Sequence, residues 1–210
     1  MRRSRERERS WSSVQRNRSN RKLALGLGLA VLLVAGIALI PTVAAAEQEP
    51  ATSDHSAHAA GLQDELAQVR RVTARFHRLD AALAAGYELG WVNGSGVRII
   101  TGCISSPTGA MGYHYFNPQL MADNAVDALE PEALVYAPAP DGDGLKLAAV
   151  EYVVRGPATN PPGPSQAPSV LGMEMHILNP VVGFWLMHAW VWATNPAGIF
   201  EDWNPEVSCS

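Results

Sequence analysis

The sequence is poor in cysteine and, beyond its N-terminal segment, in basic residues. It has two cysteines among 210 residues, which excludes a small fold held by several disulfides and a four-cysteine zinc site. Residues 47–210 contain seven basic residues against eighteen acidic ones, and Lys146 is the only lysine of that range. Nucleic-acid binding needs a surface that neutralises phosphates, so this composition excludes nucleic acid as a partner.

Motifs of several common enzyme classes are also missing. The sequence has no G-x-S-x-G elbow, no phosphate-binding G-K-[ST] loop, no G-x-G-x-x-G after a predicted strand and no H-E-x-x-H. No local motif therefore identifies a nucleophile, a nucleotide site or a metalloprotease helix. Any chemistry must come from residues that are distant in sequence.

The N-terminal segment has the organisation of an export signal. Residues 1–22 hold nine Lys or Arg, and Leu23–Ile40 is an uncharged apolar run of eighteen residues. Ala44 and Ala46 then match the small-residue pattern that signal peptidase reads. Residues 1–46 are thus predicted to direct secretion. The alternative is an uncleaved single-pass anchor through residues 23–40, with the domain outside the cell membrane.

The cysteine count agrees with an exported protein. An even number of cysteines in an oxidising compartment predicts a disulfide, here between Cys103 and Cys209. Two free thiols are the alternative. A bond between these positions would tie the end of the chain to the first third of the folded domain.

The hydrophobic pattern predicts one α+β domain over residues 61–210, after a flexible linker at residues 47–60. From Gly61 to Gly86 apolar residues recur at spacings of three and four, which predicts one amphipathic helix. The period then changes to two, so we expect this N-terminal helix to pack on a four- to five-stranded antiparallel sheet. The predicted strands are Val97–Thr101, Met111–Asn117, Ala133–Ala137, Leu145–Val154 and Gly183–Trp192.

Four polar side chains are candidates for a shared site. His114, Glu151 and His188 each stand in an apolar row of a predicted strand, and His77 lies at the margin of the helix stripe. If the helix packs on the sheet, these four could converge. Imidazoles with a carboxylate would suit Zn or Cu, or a general base. A hydrogen-bonded structural cluster is the simpler interpretation, so no cofactor is predicted outright.

Tryptophan is concentrated near the C-terminus, at Trp185, Trp190, Trp192 and Trp203. Strand alternation places Trp185 on one face, and Trp190 and Trp192 together on the other. Core packing explains most of this set. An exposed row would instead bind a ligand or a partner.

The motif set resembles a family of exported bacterial proteins, best known from actinobacteria, that has no assigned activity. The resemblance covers about residues 68–209. It implies no catalytic residue, although it draws attention to the two cysteines, His114, Glu151 and His188. Segment 157–183 departs from the family pattern. The motifs that carry the resemblance are Cys103, Gly109–Pro118, Pro131–Tyr136, Ala149–Tyr152, Met187–Trp190, Asn195–Gly198 and Trp203–Cys209.

Two functional hypotheses follow. The first is a non-enzymatic extracytoplasmic protein that binds a small molecule or a cell-envelope component through its aromatic C-terminal region. The second is a metal-binding protein or metal-dependent hydrolase that uses His114, His188 and Glu151. They are distinguished by whether those three side chains face one another, which linear order does not determine.

Overall fold

The described part of the chain comprises residues 52–142 and 144–209 of a computed structural model, and it begins with helix and continues as antiparallel sheet. The predicted signal or anchor segment lies outside these residues. None of the helices within them is long and apolar enough to cross a membrane. The helical elements are α1 (Thr52–Thr73), a 3₁₀ turn (Ala74–His77), α2 (Leu79–Ala84) and a second 3₁₀ turn (Leu120–Ala122).

Ten strands follow α2 in the described residues, and the second 3₁₀ turn lies between the fifth and the sixth of them. The order along the chain is β1 (Glu88–Leu89), β2 (Trp91–Val92), β3 (Arg98–Ile99), β4 (Ile104–Ser106), β5 (Gly109–Phe116), β6 (Ala133–Pro138), β7 (Leu145–Arg155), β8 (Ser169–Val170), β9 (Met173–Glu174) and β10 (Phe184–Ala189). The main sheet has the order β1-β5-β6-β7-β10, and β4 pairs with β5 as a sixth strand. All its pairs are antiparallel, so the predicted α+β class is confirmed.

The predicted single helix over residues 61–86 is divided in two by the 3₁₀ turn. Arg78 is extended, with φ −92° and ψ 112°, so the α-helical period is broken between α1 and α2. The apolar residues at this spacing do not all face the core: Leu66, Val69 and Phe76 are buried, whereas Val72 at the end of α1 and Leu83 in α2 are exposed. A spacing of three and four was therefore insufficient to identify the buried face.

The linker prediction for residues 47–60 is too long at its C-terminal end. Helix α1 begins at Thr52, and residues 47–51 lie outside the described part of the chain. Three alanines, Ala57, Ala59 and Ala60, supply the helix propensity that the apolar pattern did not register. The segment has no apolar residues at helical spacing, and its pattern therefore predicts a linker.

The main sheet has two chemically different faces. The helices cover one face, where Leu66, Val69 and Phe76 join a large apolar cluster that includes Tyr136 and Tyr152. The tyrosines are anchored by their hydroxyls, since Tyr136 Oη donates to the Phe76 carbonyl oxygen. The opposite face carries two smaller apolar clusters and the polar residues described below.

The hairpin of β6 and β7 and the disulfide agree with the sequence predictions. β6 and β7 pair antiparallel across the Gly- and Pro-rich turn, with Ala137 opposite Lys146. Cys103 and Cys209 form a disulfide with a Cα–Cα distance of 5.7 Å. A disulfide fits an oxidising, extracytoplasmic location.

The C-terminal segment returns to the start of β5. Beside the disulfide, Asn204 and Ala110 exchange two backbone hydrogen bonds of 3.1 Å. Gly109 permits this approach because a Cβ at that position would overlap with the carbonyl oxygen of Asn204. These contacts fix the segment that carries Asp202 and Trp203 against the polar face of the sheet.

Candidate metal centre

Three strands of the main sheet bring His114, Glu151 and His188 together on the face opposite the helices. His188 in β10 lies directly opposite Glu151 in β7, and Glu151 lies opposite Ala133 in β6. His114 in β5 is paired with Val135 of β6. The three side chains therefore alternate onto one face, as period two predicts. We call them the HEH triad.

The distances within the HEH triad are short. The two histidine Nε2 atoms are 3.3 Å apart. His114 Nε2 is 3.6 Å from Glu151 Oε2, and His188 Nε2 is 3.6 Å from Glu151 Oε1. In a flat sheet, strands three positions apart would hold their backbones about 14 Å apart. Twist and curvature of the sheet must therefore close the gap between β5 and β10.

Two local features help the strands to bend. The register shifts between Val135 and Tyr136, where β6 pairs with β7. Gly112 of β5 has φ 117°, and a Cβ there would overlap with the Tyr136 carbonyl oxygen. Bulges and glycines of this kind increase the curvature of a sheet. They lie two residues from His114 and on the strand beside it.

The HEH triad is buried and incompletely hydrogen-bonded. His114 and Glu151 are 3% exposed and His188 is 0% exposed. Among the described residues, the buried side-chain atoms without a hydrogen-bond partner are His114 Nδ1 and Glu151 Oε2. A buried carboxylate oxygen without a donor is costly, because it has left water without gaining a partner. A bound cation would compensate for that loss.

Burial changes the proton affinities of the triad. It raises the pKa of Glu151 to about 6, although the charge of His188 acts against this shift. Burial and the nearby His188 lower the pKa of His114 to about 3, so its imidazole is neutral at neutral pH. Burial also opposes the charge on His188, but the carboxylates of Glu151 and Asp202 outweigh it and raise the pKa of His188.

A second carboxylate supports the triad from behind. Asp202 Oδ1 lies 3.3 Å from His188 Nδ1, on the side of the ring away from Glu151. Asp202 Oδ2 is 2.9 Å from Nε2 of His176, which is exposed. The histidines lower the pKa of Asp202 despite its partial burial. A histidine that binds a metal through one ring nitrogen characteristically donates a hydrogen bond from the other nitrogen to a carboxylate. This hydrogen bond fixes the orientation of the ring and its tautomer.

The triad distances fit a tetrahedral metal ion. Ligand bonds of 2.0–2.1 Å separate neighbouring ligand atoms by about 3.3–3.4 Å in a tetrahedron, and by about 2.9 Å in an octahedron. The separations of 3.3 and 3.6 Å in the triad are closer to the tetrahedral values. The three residues are the group of potential metal ligands that the geometry identifies within the described residues. Three protein ligands would leave the fourth position of a tetrahedron to a water molecule or another ligand.

A cavity of about 370 Å³ adjoins the triad, and His114 and Glu151 form part of its wall. The rest of the wall is apolar except for Asn179. It comes from the loop between β3 and β4, from β4, β5, β7 and β10, from the loop before β10 and from the C-terminal segment. The apolar lining residues are Ile100, Ile104, Met111, Phe116, Val153, Leu178, Pro180, Val182, Phe184, Leu186 and Trp203.

His77 does not join the other three candidates, so its predicted convergence with them is wrong. It lies on the helix side of the sheet, where its ring contacts Trp192 with 4.2 Å between centroids. His77 is exposed, whereas the triad is buried on the opposite face. The sequence pattern identified which strand residues share a face, but it did not determine which face the helix covers.

The four tryptophans do not form an exposed row. Trp190 is buried, and the other three are half-buried. Trp192 Nε1 donates to Thr73 of α1, and Trp185 Nε1 donates to the Pro164 carbonyl oxygen. Trp203 alone among them lines the cavity beside the triad.

The expected pairing of Trp190 and Trp192 on one face is also wrong. Strand β10 ends at Ala189, and the amides of Trp192 and Ala193 both donate to the Ala148 carbonyl oxygen. This turn of the backbone breaks the alternation. Trp190 stacks on His188, with 6.2 Å between ring centroids, whereas Trp192 joins the helix-side cluster.

Sequence reasoning missed Asp202 and the cavity. Asp202 lies in the C-terminal segment, outside any periodic pattern, and reaches His188 because that segment folds back. The useful signal was the disulfide, which predicts that the C-terminal segment lies near the sheet.

Comparison of the chain with protein-family models, curated proteins and solved structures finds no match. The resemblance to an exported bacterial family therefore stays a prediction.

Proposed function

We propose that this protein is an exported metal-binding protein that holds one divalent transition metal ion, zinc in first place, through His114, Glu151 and His188. The carrying observation is the cluster itself: three buried ligand groups from three strands, with ligand atoms 3.3–3.6 Å apart. A purely structural hydrogen-bonded cluster would be expected to satisfy its buried atoms. Here the buried Glu151 Oε2, which faces His114 Nε2, lacks a hydrogen bond.

Zinc is favoured over other metals by geometry. Zinc takes histidine nitrogens and carboxylate oxygens at four-coordinate sites, and three protein ligands with one open position are typical of its functional sites. Two histidines and one carboxylate also bind iron(II), but on one face of an octahedron. The triad separations exceed those of an octahedron. Copper remains the main competitor, because it binds imidazole more tightly than zinc does.

The cavity supports a role beyond structure. His114 and Glu151 form part of its wall, so an exogenous molecule in the cavity would lie beside a bound metal. Ligand binding at this position replaces the hypothesis of an exposed aromatic surface, since Trp203 is the one candidate tryptophan beside it. Metal-dependent hydrolysis is the second candidate function, because zinc with three protein ligands lowers the pKa of its bound water to about 7.

Export is part of this proposal. The disulfide between Cys103 and Cys209 supports an oxidising compartment. The uncharged run Leu23–Ile40 and the following alanines support translocation of the domain. Secretion after cleavage is the preferred route, with an uncleaved anchor as the alternative.

Metal analysis of purified variants tests the site. The protein is stripped with chelator and divided into portions that are loaded separately with zinc, copper(II) or iron(II), desalted and measured by mass spectrometry of the elements. We expect one zinc per chain in the wild type. His114→Ala and Glu151→Gln should each reduce occupancy at least tenfold, because each removes one of three ligands.

His77→Ala is the matched control for the metal experiment. It removes a histidine from the opposite side of the sheet and should retain full occupancy. Circular dichroism of every variant shows whether the fold persists. Folded wild-type protein that takes up no metal, or equal loss of metal in His77→Ala, would contradict the proposal. Preferential loading with copper or iron would keep the site and change the metal.

A further inference from the structure

The cavity beside the HEH triad has few polar groups. His114, Glu151 and Asn179 are its polar lining residues, and the other lining side chains are apolar. No Arg or Lys of the described residues lines it, so an anionic ligand would find no cationic side chain among them. A metal ion at the triad would be the one positive group available. The wall therefore predicts a ligand with an apolar body and one polar group.

The charge of the metal site favours an anion as that polar group. A divalent ion with two neutral histidines and the Glu151 carboxylate would keep one net positive charge among the ion and its ligands, and the Asp202 carboxylate that offsets it lies on the far side of His188. Charges interact strongly at such a buried position, because little water screens them. Asp202 lies behind His188, where it also contacts His176. A monocarboxylate would neutralise the remaining charge and fill the open coordination position.

The size and mouth of the cavity suit a small molecule. A volume of about 370 Å³ lies near the lower end for small-molecule sites. The loop before β10 borders it through Leu178, Pro180 and Val182. Leu178 is 37% exposed, which places it at the solvent edge of the wall. The neighbouring Val181 is 93% exposed and is not part of the wall.

We propose that this cavity binds a small apolar monocarboxylate, whose carboxylate occupies the open position of the metal and whose hydrocarbon body contacts the apolar wall. This inference rests on the proposed metal site. It goes further by assigning the chemical class of the ligand. A neutral apolar molecule would gain the wall contacts alone, and a short carboxylate would gain the metal alone. Both interactions together are the signature of the proposed class.

Calorimetric titration of the zinc-loaded full chain with octanoate, acetate and 1-octanol tests this assignment. Zinc content is measured on the same sample before each titration. We expect octanoate to bind at least 100-fold more tightly than acetate, because six further carbon atoms leave water. Octanoate should also bind at least tenfold more tightly than 1-octanol, and removal of zinc should abolish that difference.

Two loop variants separate the cavity from general hydrophobic binding. Leu178→Trp places a bulky side chain at the edge of the wall and should weaken octanoate binding at least fivefold. Val181→Trp adds the same side chain three residues later, outside the wall, and should leave the affinity unchanged. Both positions are exposed, so both variants are expected to fold.

Each outcome has a defined consequence. Zinc-loaded protein that binds octanoate no more tightly than acetate overturns the ligand class and leaves the metal site intact. Equal octanoate affinity with and without zinc also overturns it, because the carboxylate then does not coordinate the metal. Equal effects of Leu178→Trp and Val181→Trp would show binding outside the cavity. Protein that takes up no metal overturns both proposals.

Discussion

Replacing Glu132 with glutamine should remove a large part of the pH dependence of the folding free energy. Glu132 is 2% exposed, and its Oε2 accepts a hydrogen bond of 3.0 Å from the Val153 amide. Burial raises the pKa of this carboxyl from 4.5 to about 8, although backbone hydrogen bonds to it act in the opposite direction. Asp123 and Glu151 add repulsion that also disfavours its ionised form.

The sign of the effect follows from proton binding. Between pH 4.5 and about 8 the unfolded chain has released the Glu132 proton, whereas the folded protein retains it. Stability therefore decreases as pH rises through this window. One pKa unit corresponds to 1.36 kcal/mol, so Glu132 should account for a loss of about 3.5 kcal/mol between pH 5 and pH 8. Glutamine keeps an acceptor for Val153 and has no proton to release.

The assay is urea unfolding at pH 5 and pH 8 with chelator present, so that metal binding does not contribute. The wild type and Glu132→Gln share the titrations of Glu151, His114 and His188, and these cancel in the comparison. The difference in stability between the two proteins should change by about 3.5 kcal/mol across the window. Glu130→Gln makes the same substitution at an exposed glutamate, and it should leave the pH dependence of the wild-type unfolding free energy unaltered. Parallel pH profiles of wild type and Glu132→Gln would refute the reasoning.

Two further predictions concern the supports of the metal site. Replacing Cys103 and Cys209 with serine should lower the free energy of unfolding by about 4–5 kcal/mol, because the disulfide closes a loop with a sequence separation of 106 residues. Urea unfolding measures this change, and an unchanged midpoint would contradict the prediction. Asp202→Asn should weaken zinc affinity by about 10- to 100-fold, because His188 loses the carboxylate that orients it. Competition with a chromogenic chelator measures that affinity, and unaltered binding in the folded variant would show that Asp202 does not support the site.

The sequence was most informative where an element can be identified from local pattern. Period two in β5, β7 and β10 placed His114, Glu151 and His188 each among apolar neighbours of one face. The Gly- and Pro-rich turn after Pro138 marked the hairpin of β6 and β7. These inferences succeed because side-chain direction in a strand and the backbone of a turn depend on adjacent residues.

Local pattern failed where a break in the backbone changes the register. The extended Arg78 divides the predicted helix, and the turn after Ala189 sends Trp190 and Trp192 to opposite sides. In both places the apolar spacing continues through the break, so periodicity alone does not reveal it. Only the backbone hydrogen bonds show where the regular element ends.

By itself, the sequence determined the α+β class and the pairing of Cys103 with Cys209. It also identified the three residues of the triad as polar side chains within apolar rows of strands. The tertiary structure decided that the triad converges. Strands β6 and β7 separate β5 from β10, so the side chains of His114 and His188 approach each other only if the sheet is curved. It also decided that His77 is excluded, since the helix covers the other face, and that Asp202 is included, since the C-terminal segment folds back. Those outcomes depend on contacts between distant segments, which no local spacing encodes.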